Sequence, residues 1–245
     1  MSAQDAIDFV SDNIAEVGEL MRSLSGRYEA IFGNFRSACG VVCERAPGLP
    51  EAARDIADLA GAASASVYAH IPNQPLLACS SGCAACCHLY VQVPPGIARM
   101  MADHIITHFS PDERDALQGR LEVAAAAARD ADDPARLRHR CPLLGADNRC
   151  TVYDVRPLSC RAFTSRSVTR CNDVVFGEIA DGSGVEQNAA HYRIHMEATF
   201  ALEQAARDRG LSAQQKGLAE ALLTELPATD KSAAAKAQST PSSTA

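Results

Sequence analysis

The sequence predicts a mainly α-helical fold, a helical bundle around an irregular, cysteine-rich centre. Three observations lead there. Apolar residues in the first third recur at alternating steps of three and four. Helix start and stop signals punctuate most of the remainder. Between them, eight of the ten cysteines fall from Cys79 to Cys171, where helical periodicity fades.

The first element is set by Ile7, Val10, Ile14, Val17, Met21, Leu24, Tyr28, Ile31, Phe35, Ala38 and Val42, an unbroken heptad seam. It reads as one long helix, or two collinear helices parted near Ser25 and Gly26. Gly18, Gly26, Gly33 and Gly40 each weaken a free-standing helix by up to about 1 kcal/mol. The seam is therefore expected to pack within the chain, with a protein partner or a homodimeric coiled coil as the alternative. Cys39 and Cys43, one turn apart on this helix, read as small buried apolar residues.

Pro47 and Gly48 end that arm, and a second helix is expected from Pro50 to about His70. Pro72 and Pro75 interrupt the chain before the cysteines. A helix follows from about Pro95 to Phe109. Ser110, Pro111 and Glu113 form a strong start for the next, with a capping serine, proline at the first position and glutamate at the third. It should reach Asp130, where Asp133 and Pro134 stop it. Residues 141–184 read as irregular, with Cys160 on a helical turn. Helix is expected again from Val185 to Arg209, and Ser212 with Gln215 resembles a capping box for a last helix to Leu226. The division is a helical hairpin over 1–72, a cysteine-cluster metal-binding region with helices over 73–226, and a tail over 227–245 without an apolar face, expected to be disordered.

Composition excludes several classes. A formal net charge of -7 leaves no basic surface for nucleic acid. No run approaches the roughly 20 apolar residues of a membrane span. Met1 to Ala6 show no secretory signal, so the chain is expected in the cytosol, where ten cysteines do not read as five disulfides. With 47% hydrophobic residues, the chain can bury a core without metal.

The chemistry lies in the cysteines. Cys83 and Cys86 have the two-residue spacing at which two sulfurs turn to one ion. Cys79, Cys83 and Cys86 or Cys87 would share a stripe in a helical turn, and Gly82 would permit a tight turn instead. The turn over Gly145 to Asn148 brings Cys141 and Cys150 together as a knuckle. Cys160 and Cys171 complete the set. Eight thiolates equal two tetrahedral sites by count, or one cluster with a structural ion, or a binuclear centre. Such ligands suit iron, an iron–sulfur cluster or zinc, and ligand type alone does not separate these. Adjacent Cys86 and Cys87 favour iron over a simple zinc ribbon.

The run Cys83-x-x-Cys86-Cys87, then Cys141-Pro-Leu-Leu to Cys150-x-Val-Tyr and Arg156-Pro-Leu-x-Cys160-Arg161, resembles the CxxCxxCC proteins, the YkgJ-type cysteine-cluster family described as chelating zinc or iron. The resemblance covers about Cys79 to Cys171. Three residues stand between Cys79 and Cys83 where the family pattern has two, so Cys79 is the departure. The resemblance implies a metal site without a defined reaction.

Other groups carry weaker signals. Arg161 is the arginine expected to support the thiolates, and His88 is a candidate substitute ligand. His104 with His108, and His191 with His195, read as ordinary helix-surface pairs. The function expected is binding of iron, including an iron–sulfur cluster, or zinc. The alternatives are a structural zinc scaffold in a helical interaction protein and a protein-modifying metalloenzyme, and whether a reaction is catalysed stays open.

Overall fold

The computed structural model describes residues 3–71, 74, 76–177 and 184–227, with α1 side chains described at residue 11 and from residue 14 onward. The tail expected over 227–245 lies, beyond Pro227, outside the described residues. Among the described residues there are eight α-helices and two two-residue strands, and the fold is mainly α as the sequence predicts.

Helix α1 (Ala3–Arg45) is a single helix with no break at Gly26. Helix α2 (Leu49–His70) starts with proline in its first turn, after Gly48. Helices α3 (Ile97–His108) and α4 (Pro111–Asp130) follow. The Ser110 capping box forms in full: Ser110 Oγ accepts from the Glu113 amide at 3.3 Å, and Glu113 accepts from the Ser110 amide at 2.8 Å. Helix α7 (Ala189–Asp208) is capped by Asn188, whose Oδ1 accepts from the His191 amide.

Two stretches depart from expectation. The irregular region contains two short helices, α5 (Leu158–Ala162) and α6 (Val168–Phe176), the second capped by the Ser167 hydroxyl. The last helix, α8 (Leu218–Glu225), begins later than Ser212 suggests. The Gln215 side chain donates to Glu203 instead of returning to Ser212. Strand β2 (Lys216–Gly217) then pairs antiparallel with β1 (Gln92–Val93). Tertiary partners thus override a local capping signal.

Helix α2 packs against α1, α3 and α7; α7 also meets α1 and α5; α8 packs on α3 and α4. One apolar cluster runs through them, with Phe32, Ile56, Met101, Leu117, Ile194, Leu202 and Leu222 among its members. Residues Ala52, Ala53, Ala57 and Ala60 bring α2 close to its neighbours.

The expected packing of the whole heptad seam within the chain is not what α1 does. Among the described residues its buried face begins at Phe32 and continues through Phe35, Cys39 and Cys43. Ile14, Val17, Leu20, Met21, Leu24, Tyr28 and Ile31 are 37% to 68% exposed. The reason is length. At about 1.5 Å per residue, 43 residues of α1 far outrun the 22 of α2 and the 20 of α7. Where α1 does pack, Arg36 holds Glu197 of α7 with two hydrogen bonds of 2.7 Å, and Arg193 reaches Glu29 while stacking 4.2 Å above the Phe32 ring.

Candidate metal centre

The first cysteines lie on a turn, not a helical stripe. Gly82 has φ +88°, a conformation a side chain would strain, and the Cys83 amide bonds to Ser80 O. A 3-10 turn over Ala85–His88 then carries Cys86 and Cys87, with the Cys87 amide donating to Ala84 O at 3.0 Å.

This turn is tied to the second half of the motif by backbone. The Cys141 amide donates to Cys87 O at 2.8 Å and the His139 amide to His88 O at 3.0 Å, beside a bridge between Leu89 and Arg138. The chain from Cys141 then reverses as expected. Gly145 N–H bonds to Arg149 O at 2.8 Å, Asn148 adopts φ 60°, and Leu144 bridges to Cys150. Arg140 clamps this reversal by donating to Gly145 O at 2.6 Å. Cys160 enters from α5.

Three segments, the turn over Ala85–His88, the Cys141–Cys150 reversal and α5, therefore deliver Cys86, Cys141, Cys150 and Cys160, and each of the six sulfur pairs among them is within electrostatic reach. The Leu143 amide faces the Cys141 sulfur and the Val152 amide faces the Cys150 sulfur, each two residues on; both lower thiol pKa. Burial works the other way and dominates, pushing Cys141 up to about 11 and raising Cys160 further. Cys86 is raised chiefly by its hydrogen bond with Cys87, then by burial. Such crowding keeps the thiols neutral unless a cation shares the space.

A second grouping surrounds Cys79. Its sulfur accepts from the Ser165 amide at 3.3 Å, and its thiol neighbours are Cys83, Cys86 and Cys171. Cys171 is buried on α6, which packs against the turn carrying Cys86 and Cys87. The two groupings meet at Cys86, which neighbours Cys79 as well as Cys141, Cys150 and Cys160 and is hydrogen-bonded to Cys87. All ten cysteines are free thiols. Among the described residues, no three His, Cys, Asp or Glu side chains already stand in an arrangement that holds a metal ion. The residues fit a soft cation through donor type, mutual approach and backbone N–H support, and ligation requires the side chains to rearrange.

Arg156, one of the arginines clustered around the second half of the motif, takes the role expected of Arg161. It lies near Cys86, Cys150 and Cys160, where its charge lowers their pKa, and it stacks 4.2 Å over the Tyr153 ring. The RPLxC run holds it close to Cys160. Arg161, expected in this role, donates to the Arg156 and Asp154 carbonyls instead.

The histidines also differ. His88 hydrogen-bonds Ala84 O and sets its ring against Phe176 at 4.9 Å. His104 and His108 stack on each other at 4.1 Å, with His108 exposed. His191 and His195 are not a surface pair, a correction to the expectation. His195 is 2% exposed, and His191 bonds to Arg161 O while its ring lies 5.7 Å from Tyr68. Their side of α7 faces α2 and α5, so the helix buries them with Ile194, Ala198 and Leu202. Cys39 and Cys43 are buried at 0% and 4% exposure, the Cys39 thiol pushed up to about 12 by burial.

Residues 78–181 match the CxxCxxCC family model, described as "Putative zinc- or iron-chelating domain". No curated protein and no solved structure matches the chain. The matched segment contains the eight cysteines of both groups, and it supports metal binding as the function class. Among the described residues no helix is long and apolar enough to cross a membrane.

Proposed function

We propose that the protein chelates iron, as an ion or in an iron–sulfur cluster, through Cys86, Cys141, Cys150 and Cys160, and that Cys79, Cys83 and Cys171, with Cys87, form a second thiolate site. The observation that carries the reading is the mutual approach of four thiols from three segments, two of them supported by amides two residues on. Neutral, crowded thiols make metal uptake a proton-releasing step, and Arg156 offsets part of the negative charge that four thiolates accumulate.

Zinc uses the same donors, and a structural zinc site is the second reading, favoured by the compact Cys141–Cys150 reversal. The chain acts in the cytosol, where its ten thiols stay reduced. The exposed arm of α1 serves association with another protein chain. The proposal assigns no reaction.

Anaerobic purification followed by metal and acid-labile sulfide analysis tests this. Iron with sulfide, and visible absorption that air bleaches, is the expected result. Stoichiometric zinc in a colourless protein from iron-replete cells would remove the iron reading and leave the scaffold. Absence of any bound metal would remove both.

A further inference from the structure

From Ile14 to Ile31 α1 is exposed on nearly every side, and it carries a regular apolar seam. A helix that packs on nothing takes its stability from propensity alone, which Gly18 and Gly26 reduce. We infer that the occupant of this seam is a second copy of the same arm, forming a two-chain coiled coil between protomers. This rests on the reading of the arm as an association surface.

Three observations select a second copy. The seam from Ile14 to Ile31 keeps the alternating step of three and four that lets identical helices interlock side chains along a common axis. Its flanks suit self-pairing. Ser11, Gly18 and Ser25 border one side, and Leu20 and Arg27 the other, so no carboxylate lies beside the seam. Glu16, Glu19 and Glu29 fall on outward positions, where two copies of an acidic chain do not force like charges together. Seven half-exposed apolar side chains on each copy remove on the order of 1,000 Å² from water when they meet, the size at which specific association begins. The chain's own residues 228–245 do not supply a cover, since they contain no Ile, Leu, Val, Met or aromatic residue.

Sedimentation equilibrium on the full, reduced chain at tens of micromolar tests the inference. The expected mass is twice 25.9 kDa. It should persist at high salt, because the contact is apolar. Replacing Val17→Asp and Leu24→Asp together should return 25.9 kDa, with thermal melting of the bundle and metal content unchanged because both side chains are exposed. Glu16→Ala with Glu19→Ala, on the outward positions, should leave the doubled mass. A wild-type chain at single mass under all conditions overturns self-association while leaving another protein as the arm's partner. A doubled mass that survives Val17→Asp with Leu24→Asp, or dissolves in salt, overturns the assignment of the arm as the interface.

Discussion

Acid should weaken this fold through one buried imidazole. His195 is 2% exposed on α7, and its Nδ1 donates to His191 O at 3.0 Å. Burial also shields the remaining nitrogen from solvent, so a charge there would go unhydrated. Burial first, then the nearby His191, Arg161 and Arg156 charges, pull its pKa from 6.5 to about 4. His191 is lowered in the same direction, again chiefly by burial. Between pH 6.5 and 4 the unfolded chain binds a proton at residue 195 that the folded chain refuses. Stability is therefore full above the unfolded value and is lost as pH falls toward the folded one. The slope approaches about 1.4 kcal/mol per pH unit and the whole loss is about 3 kcal/mol. Urea unfolding from pH 7.5 to 5, followed by helical circular dichroism, measures it. His195→Gln lowers stability at pH 7.5 through lost packing, yet its stability should fall less steeply below pH 6.5, by about 2 kcal/mol over the measured range. Comparing slopes at equal metal content cancels the protonation of the thiols. Parallel slopes would refute the assignment of a buried, neutral His195.

The bundle makes further commitments. Leu202 is fully buried in the main apolar cluster, so Leu202→Ala should cost about 3 kcal/mol in chemical unfolding; a loss under about 1 kcal/mol would mean α7 is not packed as described. Gly96→Ala and Gly33→Ala should act in opposite directions. Gly96 has φ +89° and an added methyl would meet Leu49 O, so replacement destabilises by about 2 kcal/mol or more. Gly33 sits in mid-helix with open space around it, so replacement raises the melting temperature by an amount equivalent to up to about 1 kcal/mol.

Most helices are legible in the sequence because their signals are local. Pro47 with Gly48, and Ser110 with Pro111 and Glu113, act within one turn of chain, and the boundaries they imply lie close to those of α2 and α4. Features that depend on distant partners are not legible in this way. The seam of α1 has the right period over its whole length, but how much of it is covered depends on the lengths of α2 and α7. The start of α8 moves because Gln215 finds Glu203 and Gly217 pairs with Gln92. The eight cysteines are visible as donors, yet the backbone bonds between 87–88 and 139–141 that join the two halves of the motif are encoded by no spacing rule. Arg156 and Arg161 are equivalent in composition, and only the fold turns one toward sulfur and the other toward carbonyls.

We propose that Cys86, Cys141, Cys150 and Cys160 act as one metal site. Its most direct measurement is metal content per chain, after anaerobic purification, in Cys141→Ala and Cys160→Ala beside Cys39→Ala. Each of the first two should lose the metal of that site, and Cys39→Ala, whose thiol is buried in the helical core, should keep the wild-type amount. Full metal occupancy in both Cys141→Ala and Cys160→Ala would contradict the account.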